Sequence, residues 1–245
     1  MATPLQLEGG LLGSAPVAGS GVCLALTRKH YTRLRFYWRG GKCGAPSLAD
    51  NFDLDLAAAG LITRREQLGY GLTFAITHDG EIELAAEKAR EIERRRPHHD
   101  FAGRLACWLR DQGRVTWENI ELRADIEGGG RQPVRPDVFS LAKTYDAKRI
   151  NPCIHEVKIS RADFHADLAK PEKRAGYARI AEVLYYAAPS GLIQPCEIPD
   201  GCGLVVELEE GCFSVLKKPK KRRVELTAHH FMNLILKPGV LDQIW

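Results

Sequence analysis

Three residues carry the chemistry that the spacing of this chain can support: Asp137, Glu156 and Lys158, within RPDVFSLAKTYDAKRINPCIHEVKIS at residues 135–160. Val134, Val138 and Leu141 are apolar before a polar segment around Thr144–Pro152, and Ile150, Ile154, Val157 and Ile159 are apolar after it. That pattern predicts two short strands joined by a long loop. Side chains alternate along a strand, so Glu156 and Lys158 share one face while Val157 faces a core. Asp137, near the start of the neighbouring strand, reaches the same side. Two carboxylates suit a hard divalent cation such as Mg²⁺ or Mn²⁺, which takes oxygen ligands and keeps part of its shell for water and phosphate; the Val157 carbonyl is a further oxygen ligand. A cation held there would offset charge on phosphate oxygens and acidify a bound water, and Lys158 can orient or deprotonate that water.

Pro136-Asp137 followed by Glu156-x-Lys158 resembles the signature of the PD-(D/E)xK nuclease superfamily. The flanks narrow the resemblance: ELRAD at 121–125, HEVKISRADFHADL at 155–168, Tyr177, LYYAAP at 184–189 and IPDGCGL at 198–204. In that order they resemble the MmcB-like DNA repair proteins, over roughly residues 115–215 and not over the first hundred. The resemblance implies a restriction-endonuclease-like mixed sheet flanked by helices. It also implies metal binding by Asp137 and Glu156, with Lys158 assisting the water that attacks a phosphodiester. A further acid comes from the preceding segment, where Glu121 is preferred and spacing does not separate it from Glu118. The implied activity is a Mg²⁺- or Mn²⁺-dependent deoxyribonuclease acting in DNA repair, with DNA and repair proteins as partners. The alternatives are a non-cleaving DNA-binding module on the same fold, or a transcription regulator. Two features depart from the pattern. The loop between Asp137 and Glu156 is long, and the N-terminal hundred residues are an addition.

The elements that must position this site follow from the flanking sequence. Asp100 is a plausible cap for a helix at Phe101–Gln112, with Phe101, Leu105, Trp108 and Leu109 on one face. Val115–Leu122 reads as a strand, and Gly128-Gly129-Gly130 as a turn. Ser160 caps a helical stretch reaching Arg179, which Pro171 divides in two. Val183–Ala188 reads as a strand with Tyr185 and Tyr186 in the sheet core, and His155 faces away from Glu156. Leu204–Leu208 and Phe213–Leu216 form a hairpin, and Val224–Leu236 is a final amphipathic helix. Ser160, Arg161 and Lys173 lie where a DNA phosphate would pass, although Ser160 as a cap and Lys173 as a solvated charge are the plainer readings. Lys220, Lys221 and Arg222 belong to the basic run KKPKKRR at 217–223, which suits salt-dependent phosphate contact or simply a solvated loop.

Toward the N-terminus, residues 1–20 read as a flexible arm rich in Gly, Ala, Pro and Ser. A helix is expected over Cys23–Trp38, and a second, capped by Ser47, with Phe52, Leu54, Leu56 and Ala57 on its apolar face. Two strands, Leu61-Ile62 and Leu72–Ile76, flank a basic Gly-containing loop. His78-Asp79-Gly80 reads as a turn before a helix over Glu81–Arg96, with Pro97 marking a domain boundary. Residues 21–96 resemble a winged helix-turn-helix, which implies a second helix in the major groove and phosphate contacts from Arg64, Arg65 and Lys42. The overall expectation is an α/β (α+β) chain of two domains, 21–96 and 97–245.

Composition sets the outer bounds. The 245 residues are 44% hydrophobic and 27% charged, as expected of a globular chain rather than a disordered one. A net charge of +4 permits nucleic-acid binding without arguing for it. The seven cysteines form no CxxC pair at zinc spacing, which fits reduced thiols. No segment is long enough to span a bilayer, and no signal peptide opens the chain, so the expectation is a cytoplasmic protein without a membrane partner.

Overall fold

The computed structural model describes residues 25–67, 71–125 and 129–237. The arm at 1–20 and the start of the Gly128–Gly130 turn lie outside the described residues. The chain divides into two compact units between Glu91 and Ile92.

The N-terminal unit holds α1 (Arg28–Arg39), β1 (Ala45–Pro46), α2 (Asn51–Ala58), β2 (Ile62–Gln67), β3 (Gly71–Ile76) and the first turns of α3 (His78–Asp111). Its three strands pair antiparallel in the order β1-β3-β2. Leu34, Tyr37, Leu56, Ile62 and Phe74 form its core. Local expectations shift here in three places. Asp50, not Ser47, caps α2, accepting from the amides of Phe52 and Asp53. The buried face of α2 carries Asp53 and Leu56, whereas Leu54 is 67% exposed. His78-Asp79-Gly80 is the first turn of α3 rather than a loop. A β-carbon at Gly80 would lie 2.2 Å from the Leu61 carbonyl oxygen, so only glycine lets the helix start that close to the strand.

The expected stop at Pro97 is also corrected, since α3 runs through it to Asp111. A proline inside a helix costs about 3 kcal/mol. Against that cost, the following turns bury Phe101, Ala102, Leu105, Ala106 and Leu109, and each large side chain contributes roughly 1.5–3 kcal/mol. Packing outweighs the proline.

The C-terminal unit is built on a six-stranded mixed sheet in the order β11-β10-β9-β8-β7-β4. These are β4 (Arg114–Glu118), β7 (Val138–Ala142), β8 (Cys153–Val157), β9 (Val183–Pro189), β10 (Gly203–Glu209) and β11 (Cys212–Lys217). β8, β9 and β10 run parallel, and the remaining pairs are antiparallel. The strand expected over Val115–Leu122 is broken. Asn119 takes a φ of +50°, β4 ends at Glu118, and β5 (Leu122–Asp125) pairs with β6 (Arg131–Val134) as a separate ribbon. Pro136 likewise separates β6 from β7. One sheet face, with Ile154, Tyr186 and Leu204, packs into a core shared with Phe164 of α4 (Arg161–Leu168), Tyr177 of α5 (Pro171–Ala178) and Leu234 of α6 (Ala228–Leu236). The opposite face, with Val157, Ala187 and Val205, packs on the last turns of α3. No helix among the described residues is long and apolar enough to cross a membrane.

Candidate functional site

Asp137 precedes β7, and Glu156 and Lys158 stand at the end of β8, where β7 and β8 pair Val138 with His155. All three line one polar cleft of about 730 Å³, together with His98, Asn119, Ser160 and Lys173. The alternation expected along β8 holds: Lys158 Nζ lies 3.2 Å from Glu156 Oε2, while Val157 is fully buried on the other face. The Val157 amide donates to Asp137 Oδ2 at 2.8 Å, so the backbone ties the two acidic strands together.

Glu156 is 1% exposed, and every oxygen it has is engaged. Tyr177 donates its hydroxyl to Oε1 at 2.6 Å, and Lys173 Nζ reaches Oε2 at 2.5 Å beside Lys158. Asp167 of α4 closes the network. It accepts from Lys173 at 2.8 Å and from the Tyr186 hydroxyl at 2.9 Å, and lies 3.5 Å from Lys158 Nζ. Asp163 stands 3.8 Å from the same ammonium. At the mouth, His98 Nε2 approaches Asp137 Oδ2 to 3.4 Å.

The carboxylates do not titrate alike. Burial, then the charge of Asp137, pushes the Glu156 carboxyl above its usual range despite Lys173 and Lys158. Burial also works against charge on Asp137, but His98, Lys158 and the Val157 amide outweigh it and hold that carboxyl low. Asp167 is likewise held low, because Lys173 and Lys158 outweigh its burial. Hydrogen bonding to Asp137 raises the His98 imidazole. Lys173 is raised because the Glu156 charge and Asp167 outweigh its burial. Opposed shifts on neighbouring acids in a cleft mark a candidate functional site.

α5 can deliver Lys173 and Tyr177 because Gly176 packs hard against β6, where a β-carbon would sit 2.5 Å from Gln132 Nε2. Ser160 caps α4, accepting from the Asp163 amide at 3.2 Å, and also lines the cleft. Glu121 is exposed between β4 and β5, and neither it nor Glu118 lines the cleft; Asn119 does. Arg161 is paired with Glu197 at 2.6 Å. Lys221 is paired with Glu182 at 2.9 Å, and the backbone amides of Lys220 and Arg222 bond to Gly201 and Glu182 carbonyls. Arg64 and Arg65 are exposed on β2 itself rather than in a loop between strands. Lys173 belongs inside the acidic network and not on a solvated helix face.

Asp167, Tyr186 and His98 were not singled out as site residues by sequence reasoning. Tyr177 entered only among the residues that carry the resemblance. Their signals are weak in one dimension: an Asp seven residues beyond a cap, a tyrosine in an apolar strand and a histidine beside a proline. Among the described residues, no group of three or more His, Cys, Asp or Glu side chains stands at metal-binding geometry.

No protein-family model matches this chain, and no curated protein matches it. Among solved structures, a protein of unknown function from Silicibacter pomeroyi is similar at 23% identity, covering 56% of this chain and 80% of that one, with a TM-score of 0.41.

Proposed function

We propose that the C-terminal unit is a metal-dependent deoxyribonuclease acting in DNA repair, with Asp137, Glu156 and Lys158 as its chemical centre. One observation carries the reading: two carboxylates of opposed titration and a buried lysine line a single polar cleft. The residues fit a divalent cation. Glu156 Oε2 already answers two ammonium groups, the electrostatic demand that a hard cation would meet, and Asp137 Oδ1 carries no hydrogen bond among the described residues. Asp137 and Glu156 would hold Mg²⁺ or Mn²⁺, with the Val157 carbonyl as a third oxygen. Bound there, the ion supplies charge compensation for phosphate and a more acidic water. Lys158, 3% exposed and flanked by Glu156, Asp163 and Asp167, would orient the attacking water beside Glu156. Tyr177 fixes the Glu156 carboxylate by its second oxygen. Lys173 supplies positive charge at the rim.

In this reading the N-terminal unit is winged-helix-like and contacts phosphates through Arg64 and Arg65 on the β2–β3 hairpin. α2 is a poor groove reader, since its sequence NFDLDLAA carries two aspartates and no cation.

A second reading, a non-cleaving DNA-binding module, is favoured by the complete internal satisfaction of Glu156. Incubation with labelled single-stranded, duplex and branched DNA plus Mg²⁺ or Mn²⁺ separates the two. Cleavage by the wild type that is lost in Asp137→Ala and Lys158→Ala supports the nuclease. Salt-sensitive binding with no turnover selects the binding module, and equal cutting by wild type and variants overturns the assignment.

A further inference from the structure

The opposite face of the six-stranded sheet carries a second cavity, of about 400 Å³, where the last turn of α3 ends and leaves β8, β9 and β10 uncovered. Its size suits a small ligand, for which sites run from roughly 300 to 1,000 Å³. Strand alternation separates it from the acidic cleft. Glu156 faces one side of β8, and Cys153 and His155 face the other.

Three features point to the chemistry of an occupant. The wall is aromatic: the buried His155 ring stacks on the half-buried Tyr185 with centroids 5.2 Å apart and planes 6° apart. Tyr185 can lie flat because Gly203 has no side chain; a β-carbon there would meet the Tyr185 ring at 2.5 Å. Trp108 supplies a further aromatic wall.

His155 itself is 2% exposed, yet among the described residues its ring nitrogens have only the Cys153 sulfur as a partner, at 3.8 and 3.9 Å. A thiol is a weak partner for a buried imidazole. A buried ring nitrogen without a strong partner leaves hydrogen-bonding capacity open to a ligand. Arg114 cannot serve a ligand in its place, because its guanidinium is committed to Ser140 and Asn151.

The charged lining residues are Arg114 and Lys218, with no carboxylate among the described residues that line the cavity. Lys218 is exposed at the rim, with no side-chain partner among the described residues. It begins the basic stretch that continues through Lys220 to Arg223.

We propose that this cavity binds one unpaired nucleotide unit, with the base between Tyr185 and Trp108 and hydrogen-bonded at its edge to His155, and the phosphate at Lys218. The same chemistry is offered by a free nucleoside monophosphate and by an unpaired residue of a single strand. The run from Lys218 to Arg223 suits the strand, since it provides further cations for adjacent phosphates. The site is separate from the acidic cleft and needs no divalent ion.

The test is calorimetric titration of the full-length protein in EDTA with each nucleoside 5′-monophosphate, with a short single-stranded oligonucleotide, and with the same oligonucleotide carrying abasic units. Monophosphates are expected to bind weakly, the oligonucleotide tighter by at least tenfold, and the abasic form to lose at least tenfold of that. Lys218→Gln, an exposed change that leaves folding intact, should weaken both ligands severalfold and reduce the salt dependence. His155→Phe, which keeps a ring and removes the nitrogens, should weaken the base-bearing ligands and leave the abasic one unchanged. Tighter binding of monophosphates than of the oligonucleotide would assign the site to free nucleotides and overturn the strand as source. Equal binding of the abasic and intact oligonucleotides, or no effect of either variant, would overturn the cavity as a base site. Because EDTA removes divalent ions, these outcomes are independent of whether the acidic cleft cuts DNA.

Discussion

Asp53 in the N-terminal unit and Glu156 in the C-terminal unit are each about 1% exposed, and each accepts from a tyrosine hydroxyl and a cationic side chain. Their surroundings differ in what else is present. Asp53 takes Tyr37 at 2.6 Å, the Ser47 hydroxyl at 2.8 Å, the Leu48 amide at 2.9 Å and the Arg33 guanidinium, which also binds Asp50. Burial alone would raise it, but Tyr37, Ser47 and Arg33 outweigh that and hold the carboxyl below its usual range. Glu156 has two ammonium groups and a tyrosine but also faces Asp137 across a cleft, and its carboxyl is raised. A buried acid whose every neighbour favours its charge is a structural lock. One held against its own charge, on the wall of a cleft, is poised to exchange its counter-ions. The two clusters are close in composition, and only the environment separates fixing a fold from offering a site.

The contrast is broken most directly by removing each charge. Asp53→Asn removes the charge on which Tyr37, Ser47, the Leu48 amide and Arg33 converge, and leaves Arg33 only Asp50 as a charged partner. It should destabilise the N-terminal unit by roughly 3–5 kcal/mol, the cost of breaking a buried pair from one side, read by hydrogen exchange of α1 and α2 amides in the intact protein. Glu156→Gln removes a charge that burial and Asp137 already oppose, and should destabilise the C-terminal unit by less than Asp53→Asn destabilises the N-terminal unit. Comparable losses from both would erase the distinction.

Acid sharpens it further. The folded Asp53 carboxyl lies below its unfolded value of about 3.9. Its stabilisation is therefore fully present above that value and is lost as pH falls through the lower folded pKa. Protection of α1 and α2 should fall below about pH 4 in the wild type, and this acid limb should shrink in Asp53→Asn, the remainder belonging to Asp50 and Glu83, which are also held low.

Lys173 offers a subtler probe. Its ammonium holds the oxygen of Glu156 that a metal would take, and it has Asp167 as an alternative partner. Lys173→Gln removes that competitor and should tighten Mn²⁺ binding by about tenfold, or about 1.4 kcal/mol. Unchanged or weaker binding would make Lys173 a support of the site instead. The smallest effect belongs to Ser160→Ala, which should cost about 1 kcal/mol as a lost cap and leave Mn²⁺ affinity unchanged. A fall in affinity there would give Ser160 more than a capping role.

The chemistry-bearing trio was legible because Glu156 and Lys158 are two residues apart on one strand and Asp137 belongs to the strand paired with it. Period-two alternation was enough. Asp167, Tyr177 and Lys173 come from α4 and α5, and His98 from α3. No local period says that three separate helices converge, so the network around the trio was not readable. The same limit applies to Asp53: helical spacing marked Leu54 as inward, but Arg33 and Tyr37 from α1 draw Asp53 in and turn Leu54 out. Pro97 failed as a helix stop for an energetic reason, since one missing amide is outweighed by the apolar stripe from Phe101 to Leu109. The mixed sheet was expected from the resemblance, with which the order of strands and helices agreed, whereas the break at Asn119 rests on a single left-handed residue.

The central claim, that Asp137 and Glu156 together form a divalent-cation site, is tested most directly by titrating Mn²⁺ into the full-length protein by calorimetry. The account predicts saturable binding by the wild type and a loss of at least about tenfold in affinity in both Asp137→Asn and Glu156→Gln. No binding by the wild type, or equal binding by all three proteins, would contradict it.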